Sequence, residues 1–376
     1  MPEPVVARCK VLFVLPNFAG GGAERVALTL LVGLDRSSFQ PHLAVLEGTG
    51  PLRSLLGADV TLHEIGQRRL RLALPALLRL IRRERPAVVF AGQGYLNIAL
   101  LAIKAFMPRG TRLVLREAST PSLSLPNQPR PRLMAWAYRR FYPAVDLLFC
   151  QHRGTEAEMA ITFGVPRSKI ASLPNPVPTA SLRAAAQAPI RQPGPGLRFV
   201  AAGRLAPEKG FDRLIELFAG LHTDAHLTIY GEGRARDTLD SLVRRLDLQE
   251  RVRLAGFTDS LPAALAGADA CVISSHWEGL PNVALESLAC GTPVIATPES
   301  GGIAELAEAA AAGTVVIAPW GAPFRDSMVA CRPRPLEAPA ASLLPPGYDS
   351  ESVAASFNAA LHRLAGEGDL GYKEGA

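Results

Sequence analysis

The sequence lacks the features that mark several common protein classes. Its five cysteines (Cys9, Cys150, Cys271, Cys290 and Cys331) are scattered through 376 residues with no C-x-x-C pair. That argues against a disulfide framework and against a thiolate zinc site. The histidines show no metal-ligand pairing, and no two aspartates stand as D-x-D. No metal is therefore expected, in particular none chelating a nucleotide. Gly20-Gly21-Gly22 is not part of a G-x-G-x-x-G, and no acidic ribose reader follows at the expected distance, so a dinucleotide oxidoreductase is disfavoured. Long apolar runs are also missing. The longest uncharged stretch, residues 86–103, contains Gly92, Gln93, Gly94 and Asn97, which makes it strand, loop and helix rather than a membrane span. Near the start only Val11 to Leu15 is apolar before Pro16-Asn17. That is too short for a signal-peptide core, so a cytoplasmic protein is expected. No nucleic-acid-binding motif is present, and nucleic acid is not expected as a partner.

What is present is globular. Hydrophobic residues make up 48% and charged residues 20%, enough for a sizeable core and incompatible with a disordered chain. The length suggests two or three domains. Charge is distributed unevenly: residues 1–192 hold 25 Lys+Arg against 11 Asp+Glu, and residues 193–376 hold 15 against 23. The net charges of +14 and −8 suggest two domains with different partners. A basic half suits an anionic substrate or an anionic membrane surface. Only five of the 40 basic residues are lysine; an arginine excess often reflects genomic base composition and carries no functional weight here.

Apolar strand-like runs alternate with helical periodicity in both halves. In the first half they fall at Lys10–Leu15, His42–Leu46, Ala87–Ala91, Arg112–Leu115 and Asp146–Cys150. In the second they fall at Leu197–Ala202, His226–Tyr230, Arg251–Ala255, Ala270–Ser274, Pro293–Ala296 and Thr314–Ile317. Buried strands alternating with helices predict an α/β protein of two Rossmann-like doubly wound domains facing a cleft. The boundaries expected are a first domain over 1–180, a Pro-, Gly-, Ala- and Gln-rich linker over 181–196 ending in Pro193-Gly194-Pro195-Gly196, a second domain over 197–350, and a final helix and tail over 351–376. Residues 319–347, rich in Pro and Ala, are expected to be an irregular surface excursion.

The informative motifs all lie on loops at expected strand ends, where α/β sheets bind ligands. His276-Trp277-Glu278-Gly279-Leu280-Pro281-Asn282-Val283-Ala284-Leu285-Glu286 joins a buried strand to a helix. Glu278 stays on the loop and Glu286 sits about one turn into the helix. Two carboxylates there suit the hydroxyls of a sugar and a ribose, and the free N–H groups near Val283 and Ala284 would attract a phosphate. A surface loop followed by an ordinary helix glutamate is the plainer reading of either acid alone. In Gly203-Arg204-Leu205-Ala206-Pro207-Glu208-Lys209-Gly210-Phe211, Arg204 and Lys209 can reach one point from the two sides of a loop. Two fixed cations at a helix start form a clamp for a diphosphate, although solvated charges would look the same in sequence. Gly20-Gly21-Gly22-Ala23-Glu24-Arg25 permits close backbone approach. Gly231-Glu232-Gly233 and Gly256-Phe257-Thr258 are weaker candidates to admit a nucleobase.

Together these strings resemble the GT-B retaining glycosyltransferases of family 4, in the subgroup that assembles lipopolysaccharide core and related surface polysaccharides. Gly21-Gly22-Ala23-Glu24-Arg25-Val26 is similar to that subgroup's first loop, Gly203-Arg204 with Lys209-Gly210 to its diphosphate clamp, Glu278 and Glu286 to its E-x7-E pair, and Ser300-Gly301-Gly302-Ile303-Ala304-Glu305 to the glycine loop that follows. The resemblance implies a hexose or N-acetylhexosamine moved from a nucleotide-diphosphate sugar, a UDP-sugar before a GDP-sugar, to a saccharide or lipid-linked acceptor, without a metal or other cofactor. It implies catalytic roles for Glu278, Arg204 and Lys209. It implies donor binding by Gly21, Gly22, Gly231, Phe257, Asn282, Val283 and Glu286 as well. The last helix would cross back to the first domain. The alternative is a non-catalytic homologue that binds nucleotide-sugar or scaffolds an assembly. Where many relatives carry a histidine, this chain reads Arg116-Glu117-Ala118-Ser119, so Arg116 or Glu117 is expected on the acceptor side.

The basic half also holds two arginine-rich amphipathic segments, residues 68–85 and 129–141. Their mixture of arginine with leucine or aromatic residues is that of interfacial segments. A peripheral position on an anionic leaflet, reaching a lipid-linked acceptor, is the corresponding expectation.

Overall fold

The computed structural model describes residues 8–191, 196–221, 224–335 and 340–366. The chain forms two compact units, one made of residues 1–176 with 350–376 and the other of 177–349. The first holds a seven-stranded parallel sheet: β1 (Cys9–Leu15), β2 (Phe39–Val45), β3 (Thr61–Glu64), β4 (Val88–Ala91), β5 (Arg112–Arg116), β6 (Leu147–Cys150) and β7 (Ile170–Ser172), in the order β3-β2-β1-β4-β5-β6-β7. The second holds β8 (Arg198–Ala202), β9 (His226–Tyr230), β10 (Val252–Gly256), β11 (Ala270–Ile273), β12 (Val294–Ala296) and β13 (Val315–Ile317), in the order β10-β9-β8-β11-β12-β13. Each sheet reverses its winding once, between β1 and β4 and between β8 and β11, which is where doubly wound sheets bind ligands.

The continuous apolar runs follow from burial on both sheet faces. Along β1, Val11, Phe13 and Leu15 join one core with Val26 and Leu30, while Leu12 and Val14 join another with Leu77, Ile81 and Leu100. A strand with helices on both sides has no polar face, so its run is unbroken. The two strands that the pattern does not reveal, β3 and β7, are sheet-edge strands of four and three residues with only part of their surface covered.

The final helix, Ser350–Gly366, belongs to the first unit. Phe357 is fully buried there and meets Phe90 edge-on at 5.4 Å; burying such a ring stabilises by roughly 1.5–3 kcal/mol. Asn358 clamps the loop after the helix Gly22–Val32: its amide nitrogen donates to the Gly33 carbonyl at 2.9 Å and its oxygen accepts from the Asp35 N–H at 3.0 Å.

Two expectations about irregular segments are corrected. The start of the expected linker, residues 181–185, belongs to the helix Thr179–Ala185 of the second unit, with Ala186 buried at its end. Pro193, Gly194 and Pro195 lie outside the described residues. Within 319–347, Ala322–Val329 is a helix, and Phe324 and Met328 are fully buried in the second unit's core. Beyond it, Arg334 donates to the carbonyls of Ala268 (2.8 Å) and Gly291 (2.5 Å), while its backbone N–H donates to the buried Asp269 at 2.7 Å. Val177 and Asp349 form an isolated bridge, so the chain enters and leaves this unit at adjacent points. Among the described residues no helix is long and apolar enough to cross a membrane.

Candidate active site

The second unit gathers most of the expected donor residues at the carboxyl ends of its strands, around the reversal between β8 and β11. The loop after β8 runs from Gly203 through the short turn Pro207–Lys209 into the helix Phe211–Ala219. The loop after β11 runs from Ser274 to Pro281 and into the helix Asn282–Ala289. Backbone and side chains stitch the two loops together. The His276 N–H donates to the Glu208 carbonyl at 2.8 Å, and the Ser274 hydroxyl donates to the Lys209 carbonyl at 3.0 Å. Arg213 donates to the carbonyls of Ser274 (2.8 Å) and Ser275 (2.7 Å) while its guanidinium lies 4.4 Å above the Trp320 ring.

Across this seam Lys209 forms an ion pair with Glu278, and the Ser275 hydroxyl donates to the same carboxylate oxygen at 2.9 Å. Both partners are mostly covered, so the two side chains are held rather than waving in solvent. Arg204, on the same loop as Lys209, is exposed. Asn282 and Val283 open the helix Asn282–Ala289 with half-buried side chains, and Glu286 lies one turn further in, also half-buried. Two cations and a helix N-terminus therefore stand at one end of the sheet, with two carboxylates beside them. That set can take up a phosphate group and accept hydrogen bonds from hydroxyls.

The neighbouring loops need glycine for a steric reason. Gly231, at the end of β9, has a φ of +132°, and a Cβ there would lie 1.9 Å from the Gly203 carbonyl oxygen. A Cβ on Gly301 would lie 2.0 Å from the Gly279 carbonyl oxygen. Phe257, after β10, is 68% exposed, an open aromatic face two strands away from the Lys209 loop.

Gly21 and Gly22 belong to the first unit, where Gly21 caps the helix Gly22–Val32. A Cβ on Gly21 would meet the Glu24 carboxylate at 2.2 Å.

Arg116 and Glu117 are a correction. Both are only 1% exposed, so neither side chain faces an acceptor arriving from solvent. Arg116 bonds the side-chain oxygen of Asn175. Glu117 accepts from Tyr142 and, at 3.2 Å, from Tyr138. Burial pushes the Glu117 carboxyl up to about 7, against the opposing pull of the two tyrosine hydrogen bonds. Burial lowers the Arg116 guanidinium to about 10, which leaves it charged at neutral pH.

Sequence reasoning missed Ser275 and Arg213, which hold the seam. The first left a signal, since Ser275-x-x-Glu278 has the spacing at which a hydroxyl and a carboxylate meet over one turn. Arg213 left none: its partners, Ser274 and Ser275, are some sixty residues away in sequence.

Residues 20–181 match the Glycosyltransferase Family 4 model and residues 185–322 the Glycosyl transferases group 1 model. The lipopolysaccharide core biosynthesis glycosyltransferase LpsE of Rhizobium meliloti is 30% identical over 285 residues, which is 75% of this chain and 77% of that protein. The N-acetylgalactosamine-N,N'-diacetylbacillosaminyl-diphospho-undecaprenol 4-alpha-N-acetylgalactosaminyltransferase of Campylobacter jejuni is 28% identical over 311 residues, 77% of this chain and 81% of that protein. Among solved structures, the Anabaena protein HepE in complex with UDP and glucose aligns with a TM-score of 0.70 at 17% identity, covering 96% of this chain and all of that one; this likeness concerns the fold. With both family models matched in tandem and LpsE aligned over three quarters of each chain, the protein belongs to the GT-B glycosyltransferases of the group 1 and family 4 type, and is an enzyme related to those of lipopolysaccharide and polysaccharide biosynthesis.

Proposed function

We propose that the protein moves a hexose or N-acetylhexosamine from a nucleotide-diphosphate sugar to a saccharide or lipid-linked acceptor, with retention of anomeric configuration, in the assembly of bacterial lipopolysaccharide or another surface polysaccharide. The observation that carries this reading is the seam between the loops after β8 and β11. There Lys209 is paired with Glu278, with Arg204 on the same loop as Lys209 and the start of the helix Asn282–Ala289 on the other. In the proposed reaction Arg204 and Lys209 hold the donor diphosphate and take up the charge that grows as the sugar leaves. Glu278 contacts the transferred sugar and Glu286 the ribose hydroxyls. A donor phosphate oxygen takes the acceptor proton on the face from which the leaving group departs. No metal or other cofactor is assigned a part.

Uracil is the preferred base, supported by the UDP in the HepE complex. A lipid-linked acceptor is supported by the diphospho-undecaprenol in the name of the Campylobacter jejuni relative. Incubation with UDP-sugars and GDP-sugars is expected to release free UDP slowly without acceptor, and Arg204→Ala is expected to abolish that release. If neither nucleotide-sugar is hydrolysed or bound, or if Arg204→Ala hydrolyses at the wild-type rate, the reading fails.

A peripheral position at an anionic membrane forms part of the proposal. The helix Leu70–Glu84 turns Ala73, Leu77, Leu80 and Ile81 into the core, so its apolar face is already used. The helix Pro131–Phe141 leaves Leu133 51% and Trp136 55% exposed beside the exposed Arg132, Arg139 and Arg140. Apolar side chains between arginines suit the headgroup boundary, and each arginine there contributes about 1 kcal/mol. The protein is expected to sediment with anionic vesicles and less with neutral ones, and Trp136→Ser to weaken that binding. Equal sedimentation with both vesicle types would remove the electrostatic part.

A further inference from the structure

Away from the loops just described, the first unit brings together three side chains that have no part in the transfer reaction. His42 lies mid-way along β2 and His63 on β3. In the parallel register His42 sits opposite Thr61 and Ala44 opposite His63, so the two histidines are diagonal neighbours on one sheet face. Glu84, the last residue of the helix Leu70–Glu84, packs over the same face. One ligand atom from each of the three lies within 4.8 Å of the others. His42 Nδ1 and His63 Nε2 are 3.1 Å apart, with the rings nearly parallel at 12°. At that distance the two nitrogens share one hydrogen bond, and the unsatisfied atom is the other ring nitrogen of His42. His42 is only 3% exposed, and its Nε2 has no partner.

We propose that His42, His63 and Glu84 form a binding site for a divalent transition-metal cation of the zinc class, ligated by one ring nitrogen from each histidine and a carboxylate oxygen, with solvent completing the shell. The chemistry of the donors fits: imidazole and carboxylate together suit zinc and its neighbours better than calcium or magnesium. The dimensions fit as well. Zinc–nitrogen bonds of about 2.0–2.1 Å in a tetrahedron place two ligand atoms roughly 3.3 Å apart, close to the 3.1 Å between the two ring nitrogens. The carboxylate has the furthest to move, and it stands at a helix end, where rotation about its side-chain bonds brings it in. Two competitors are built into the site: the Lys10 ammonium lies 3.0 Å from Glu84 Oε2 and the Arg83 guanidinium 2.9 Å from Oε1. The cation must displace at least one of them, so occupancy depends on the balance between these two side chains and the metal for one carboxylate. When bound, the cation ties edge strand β3 and the end of the helix Leu70–Glu84 to β2. That role is separate from sugar transfer.

The test uses the full-length, untagged, chelator-treated protein and zinc alone, titrated against a chromogenic chelator, with thermal unfolding recorded in parallel. One zinc per chain is expected, with an unfolding temperature that rises as the site fills. His63→Gln should weaken binding at least about tenfold, and Lys10→Gln should tighten it by removing one competitor. A purely structural Lys10–Glu84 ion pair would not produce that tightening. His63 and Lys10 are each partly exposed, so both variants are expected to fold, judged by circular dichroism without metal. Cobalt substitution should give visible bands without sulfur charge transfer. The proposal is overturned if no stoichiometric zinc binds, if His63→Gln binds as the wild type does, if Lys10→Gln binds no more tightly, or if the cobalt spectrum reports a cysteine ligand.

Discussion

Lys209→Met is expected to lower sugar transfer from the nucleotide donor by about a hundred- to a thousand-fold, the effect of removing one preorganised group from developing negative charge, roughly 2.7–4 kcal/mol. The reason lies in how the side chain is held. Lys209 is fixed by its pairing with Glu278, and its carbonyl is gripped by the Ser274 hydroxyl, so little reorganisation is needed when the diphosphate takes charge. An interaction that strengthens as the bond breaks acts on kcat more than on KM, and the loss should divide that way. Glu278→Gln should be less selective, because it removes the partner that positions Lys209 along with a carboxylate proposed to contact the sugar. Initial rates over a range of donor concentrations measure this. A Lys209→Met enzyme within about threefold of wild-type kcat would remove the lysine from the charge-stabilising role.

Glu117→Gln should make the first unit more stable above neutral pH and leave it nearly unchanged in mild acid. Glu117 is enclosed, with its carboxyl raised from 4.5 to about 7. Below about pH 4.5 it is protonated both folded and unfolded and makes no pH-dependent contribution. Between there and about pH 7 the unfolded chain releases the proton while the folded one retains it, so stability falls as pH rises; above about 7 the fall is complete. The shift corresponds to about 3 kcal/mol in total. Glutamine keeps an oxygen to accept from Tyr138 and Tyr142 and has no proton to lose. Urea unfolding of both proteins at pH 5 and pH 8, followed by a first-unit signal such as Trp136 fluorescence, measures the difference. If the gap between them is the same at both pH values, Glu117 is not the titrating group.

Fold class and the main strands were readable from the chain because they depend on local pattern. A strand covered on both faces must be apolar, as β11 and residues 11–15 of β1 are, and a loop packed closely on its neighbour's backbone must carry glycine, as at Gly231. The same logic explains the misses. Edge strands β3 and β7 need no continuous apolar run, and the helix Ala322–Val329 places only Phe324 and Met328 in the core, within a stretch whose Pro and Ala content suggested irregular structure.

Linear order determined which residue types stand at which strand ends, and so the donor-side candidates, because each motif is contiguous and its spacing is set by the turn it occupies. Convergence across the chain was decided by the tertiary structure alone. Strand register brought His42 and His63 side by side from 21 positions apart. Packing of the helix Pro131–Phe141 and the turn after it closed Tyr138 and Tyr142 over Glu117. It thereby turned a candidate acceptor contact into an interior, titratable carboxyl. Burial and proximity between distant segments are properties of how layers stack, and no local pattern carries them.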